Sequence, residues 1–164
     1  MNLNNIVTLI KNVSAAYPTV QEFGEGDIYE FLNSKEHKYP CVFLTIESIS
    51  TDGDVQNINA TLFYVDRLLD DNSNKLDIQS VSVTALKSII EKLEETNYIN
   101  FTSINYTPFT EKFTDLCAGS FAQCTIQVND VLECDDFELG TLVIKENGSY
   151  NVLGYNQVIV DIQK

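Results

Sequence analysis

Tryptophan is absent from this 164-residue chain, histidine and methionine occur once each, and basic residues are scarce. Lys and Arg together number 10 against 24 Asp and Glu, a formal charge of -14 at neutral pH. Each shortage removes a class of function. Affinity for nucleic acid rests largely on cations that neutralise phosphates, and docking on anionic membranes needs them too. A single histidine argues against a mixed Cys/His metal site. The four cysteines, Cys41, Cys117, Cys124 and Cys134, are spaced too widely for a zinc knuckle or a C-x-x-C redox pair. Cys41 and Cys124 fall inside predicted strands, where a free thiol behaves as a small buried hydrophobe. The seven glycines are dispersed, and none stands in a phosphate-loop context. No apolar run approaches the roughly 18 residues of a membrane span. The start, MNLNNIVTLIKNVSAAY, lacks the basic opening of a signal peptide, so a protein made and kept in a cytoplasm is expected.

What is present suits one domain of ordinary size with short appendages, because 44% of the residues are hydrophobic. The acidic balance fits a protein that stays soluble, meets a basic partner, or lines a channel through which DNA slides without sticking.

Leu3, Ile6, Val7, Ile10 and Val13 recur at helical spacing over residues 3–16, and Tyr17-Pro18 ends the run. A short helix is predicted over 27–33. KYPCVFLTIESIS then alternates as a strand, with Val42, Leu44 and Ile46 on one face and Cys41, Phe43, Thr45 and Glu47 on the other. TDGD turns the chain at 51–54, and NINATLFYVDR returns as the second arm of an antiparallel hairpin. A long helix follows from about Leu76 to Glu95, marked by Val83, Leu86, Ile90 and Leu93; Asn74 and Asp77 resemble a capping box at its start. Strands near Tyr98–Tyr106 and Phe121–Val128 complete the core, with EKFTDLCAG between them read as irregular. The expected class is α+β, an antiparallel sheet of about four strands with helices packed on one face, plus a C-terminal β-hairpin appendage. Residues 1–130 form the core, 131–140 an acidic connector, and 141–164 the appendage, whose Asn147-Gly148 is a strong hairpin signal.

Few residues invite chemistry. The acidic loop Asp66–Asp77 places Asp70, Asn72 and Asn74 as a calcium loop would. However, Lys75 replaces its glycine and Val81 its bidentate Glu, so turn-making and helix capping are the simpler roles. His37, in SKEHKY, reads as a solvated loop residue. Glu94/Glu95 and Asp135/Asp136 read as helix-end and linker charges. No catalytic residue, cofactor or metal is expected, and the chain does not read as an enzyme.

The closing stretch has the pattern T-x-x-I-x-E-N-G-x-Y-x-V-x-G-Y-x-x-V-x-V. It is carried by Thr141, Ile144, Glu146, Asn147, Gly148, Tyr150, Val152, Gly154, Tyr155, Val158 and Val160, with Ile162 in place of a final Val. It resembles a module appended to virion proteins of tailed phages and prophages. The core, through YPCVFLTI, TLFYVDRLLDDNSNKLDIQS and FTDLCAGSFAQCTIQV, resembles the small tail-completion or tail-terminator-like proteins of Bacteroidales phages, crAss-like phages among them. The resemblance implies a structural virion protein, made in the host bacterial cytoplasm, that forms a ring of six or twelve copies at the neck or tail. Its implied partners are itself, the portal and other neck or tail proteins, with genomic DNA passing through unread and no membrane involved. The alternative is a soluble binding module or adaptor whose hairpin augments a partner's sheet. The assembly contacts are expected at Tyr150, Tyr155, Val158 and Val160, with the hairpin pairing with a neighbouring chain or, as the alternative, folding back on its own domain.

Overall fold

The structure is a computed structural model that describes residues 2–33, 37–53, 55–112, 115–129, 142–146 and 149–153. The chain divides into two units, Met1–Val131 and Leu132–Lys164. In the first, α1 spans Leu3–Ala15 and opens where the Asn2 side chain accepts a hydrogen bond from the Asn5 N–H at 2.9 Å. Its three- and four-residue steps bring Ile6, Ile10 and Ser14 to the buried side. The long helix α3, Lys75–Glu94, turns Leu86, Ile89, Ile90 and Leu93 inward in the same way.

Both helices cover one face of a sheet built from β1 (Glu22–Glu25), β2 (Cys41–Asp52), β3 (Val55–Arg67), β4 (Asn100–Lys112) and β5 (Leu116–Asn129). The strand order is β1-β2-β3-β5-β4. Alternation sends Val42, Leu44, Ile58, Ala60, Leu62, Tyr64, Ala122, Cys124 and Ile126 under the helices, into one apolar cluster. Burying a side chain such as Leu62 or Ile126 contributes about 1.5–3 kcal/mol each. Between α3 and β5 the buried hydroxyls of Ser82 and Ser120 lie 2.7 Å apart. The Gln79 carbonyl is 2.8 Å from the first, so the pair meets its needs internally.

The α+β class is as expected, but the sheet differs in three respects. It is a mixed sheet of five strands, because β1 joins the edge parallel to β2. EFGE carries no alternating apolar signal, and Gly24 shows why. A Cβ there would lie 2.6 Å from the rings of both Phe31 and Phe43. The strand is thus thinned to admit a helix, α2 (Ile28–Asn33), and α2 rests on the opposite face from α1 and α3. Its Phe31 ring packs 4.6 Å from Phe43, which points away from the main core. The helices therefore occupy both faces.

The third difference lies between β4 and β5. Of the stretch read as irregular, residues 111–112 and 116–119 belong to the ladder, which runs on from Tyr106↔Ala122 to Lys112↔Leu116. Pro108 and Gly119 obscure the strand pattern, and both have structural reasons. Pro108 sits on the edge strand, where a missing N–H is tolerated. At Gly119 an added Cβ would fall 1.9 Å from the Tyr64 carbonyl oxygen. Ser103, at φ 57, makes a bulge that shifts the register between Thr102 and Asn105.

The second unit contains β6 (Leu142–Glu146) and β7 (Ser149–Leu153), paired antiparallel from Leu142↔Leu153 to Glu146↔Ser149. The connector 131–140 and the strand predicted from Tyr155 onward lie outside the described residues.

Two substitutions test this packing. The Ser14 hydroxyl is buried without a hydrogen-bond partner among the described residues. Ser14→Ala removes its desolvation cost of about 1 kcal/mol or more and is expected to raise Tm by roughly 3 °C. Gly119→Ala drives a methyl group into backbone and is expected to lower Tm by a larger margin, at a cost of about 1–3 kcal/mol. Thermal melts followed by circular dichroism measure both.

Candidate functional site

Among the described residues of the first unit, α2 covers only part of the face of the sheet away from α1 and α3, and this is where a site can be built. Cys41, Val65 and Cys117 are buried there beneath Ile28, Phe31 and Tyr39. Beyond α2 the same alternation lines a polar and aromatic surface with Thr45 and Glu47 from β2, Phe63 and the buried Thr61 from β3, Phe121 and Gln123 from β5, and Phe109 from β4. The register sets Phe43, Phe63 and Phe121 side by side across three strands. Phe63 lies 5.5 Å from Phe121 and meets Phe109 edge-on at 6.2 Å. The first turn of α2 walls this floor, and the result is an open cleft of about 370 Å3.

Two carboxylates stand at the cleft. Asp27 accepts hydrogen bonds through one oxygen from the N–H groups of Tyr29 and Glu30, at 2.8 and 3.1 Å, which caps α2. Glu47 accepts the Thr61 hydroxyl at 2.5 Å, again through one oxygen. Among the described residues no Lys, Arg or His lines the cleft. A larger groove of about 610 Å3 runs between α1 and β1, but its charges are mixed, since both Lys11 and Glu25 line it.

The residues singled out from sequence fare unevenly. Tyr150 lies on β7 opposite Lys145 of β6, whereas Tyr155, Val158 and Val160 lie outside the described residues. Asn74 stands at the start of α3 but does not cap it. Its side chain turns back, accepting from the Leu69 N–H at 3.0 Å and donating to the Arg67 carbonyl at 3.3 Å. Asp71 accepts from the Ser73 N–H at 3.0 Å, a bond that lowers its pKa. The acidic loop thus spends polar groups on its own backbone. Among the described residues no cluster of three or more His, Cys, Asp or Glu is placed to hold a metal ion.

His37 is not the solvated residue its polar neighbours suggest. Its side chain is 8% exposed and stacks on Phe31 at 4.0 Å. One ring nitrogen lies 2.5 Å from the Phe31 carbonyl and the other 3.3 Å from the Glu22 carboxylate. Glu22 also accepts the Lys38 N–H at 2.7 Å, so this group ties β1 to the segment that follows α2. Sequence could not reveal it, because Glu22 lies 15 residues away.

Cys41, Cys117 and Cys124 are buried, free thiols. Burial pushes all three pKa values up, Cys124 to about 12. The hydroxyl of Tyr39, 3.4 Å from Cys117, is likewise held protonated, chiefly by burial. These groups are poor nucleophiles where they stand.

No protein-family model matches the chain, and no curated protein sequence matches it.

The thiols supply a direct test. In native protein at pH 8, Cys41, Cys117 and Cys124 are expected to resist an aromatic disulfide reagent until the chain unfolds. Peptide mapping after timed labelling would show it, and rapid native labelling of any of the three would contradict their burial.

Proposed function

We propose that this chain is a structural subunit of a tailed-phage particle, forming a ring at the neck or tail that joins the portal to the tail and completes the DNA conduit. The observation that carries the reading is the closing pattern of residues 141–162, with its resemblance to a virion-appended module. The strand register supports it, since Glu146 opposite Ser149 leaves Asn147-Gly148 as the two-residue connection the pattern calls for. The charge of -14 supports it too, because a conduit for DNA works best when its wall does not bind phosphate. In this reading the ring holds six or twelve copies, and the hairpin with Tyr150, Tyr155, Val158 and Val160 pairs with a neighbouring chain. A lone two-stranded hairpin is marginal in water and gains from such a partner.

A second reading, a protein–protein binding module or adaptor, is favoured by the open aromatic cleft, which a ring does not by itself require.

Mass photometry and electron microscopy of assembled particles separate the two. Closed rings of six or twelve are expected; a chain monomeric both in solution and in the particle would rule out the ring. Truncation after Gly140 is expected to leave the far-ultraviolet spectrum and Tm of the first unit unchanged while abolishing or weakening incorporation into rings. Unfolding on truncation, or undiminished incorporation, would each defeat the assembly role of the tail.

A further inference from the structure

We infer that the cleft beneath α2 is a docking site for an arginine side chain presented by a basic segment of a partner protein. The inference stands apart from the ring, because it concerns a surface of the first unit only. Three features of the cleft select the occupant. The floor is made of aromatic faces and edges from Phe63, Phe109 and Phe121, which bind a flat cation as well as apolar groups. Asp27 and Glu47 flank it, each engaging the described residues through one carboxylate oxygen and keeping the other for a ligand. Among the described residues no cationic side chain lines the cleft to neutralise them.

An acidic or phosphorylated segment would meet like charge here and across a surface of net charge -14, so electrostatics excludes it and draws in a basic one. Between the two basic side chains, the guanidinium fits better. It is planar, stacks on rings, and offers N–H groups in a fork to more than one acceptor, whereas an ammonium is compact and strongly hydrated. Gln123 at the mouth adds a neutral hydrogen-bonding group for the flanking peptide.

The test uses the full-length chain labelled with nitrogen-15 and three blocked pentapeptides, Ala-Leu-Arg-Leu-Ala and its lysine and citrulline counterparts. The arginine peptide is expected to shift the amide resonances of Thr45, Glu47, Thr61 and Gln123 saturably, the lysine peptide more weakly, and the uncharged citrulline peptide not at all. Glu47→Gln should weaken binding by about tenfold, and added salt should weaken it further. Glu47 and Gln123 are both exposed, so Gln123→Lys offers a second variant that keeps the fold and blocks the site with a resident cation. Equal binding of the citrulline peptide, shifts confined to other residues, or an affinity unchanged by both variants would overturn the proposal. Shifts at these four residues that grow with protein concentration alone would also overturn it, since the occupant would then be a second copy.

Discussion

Strand β3 is the constraint on which the first unit depends. It is hydrogen-bonded to β2 on one side and to β5 on the other, and the ladder to β5 runs unbroken from Val55 to Arg67. One of its faces, Ile58, Ala60, Leu62 and Tyr64, is buried beneath the helices. A slip of one residue would turn that row outward and bring Asn57, Asn59, Thr61 and Phe63 into the core, so the register is fixed by burial itself. The opposite face gains its functional character from the same alternation. Phe63 and Thr61 lie on the other face of the sheet because Leu62 and Tyr64 cannot.

What the sequence made legible follows from this. Helices α1 and α3 and the β2–β3 hairpin announce themselves because each buries one face continuously, and their periods of 3.6 and 2 survive in the residue order. Strand β1 does not. Its pairing with β2 is parallel and its four residues include a glycine kept bare for two phenylalanine rings. The ends of β4 and β5 were hidden by Pro108 and Gly119, residues that usually break strands and here satisfy an edge and a close backbone approach. Asn74 occupied the position that a cap would, yet its side chain found better partners behind it.

The candidate cleft was legible only in fragments. The alternation of Cys41, Phe43, Thr45 and Glu47 marked a second face, but nothing in residue order shows that Phe63, Phe109 and Phe121 converge. They come from three strands, and the wall comes from α2, which local pattern placed in the chain but not on a face. Charge was the more informative clue. The excess of acidic groups left a basic partner as one reading beside solubility and a DNA channel, and the arginine site proposed above would give that reading one address.

The interrupted edge of β4 has a consequence for crowding. An incoming strand that tried to extend the sheet beyond β4 would meet the bulge at Ser103 and then the missing donor at Pro108. The short runs Asn100–Thr102, Asn105–Thr107 and Phe109–Lys112 offer regular backbone, in place of a track the full length of Asn100–Lys112. Many copies held close together can therefore touch without their sheets fusing into an endless ladder. On this side of the sheet the edge works as a stop to strand addition.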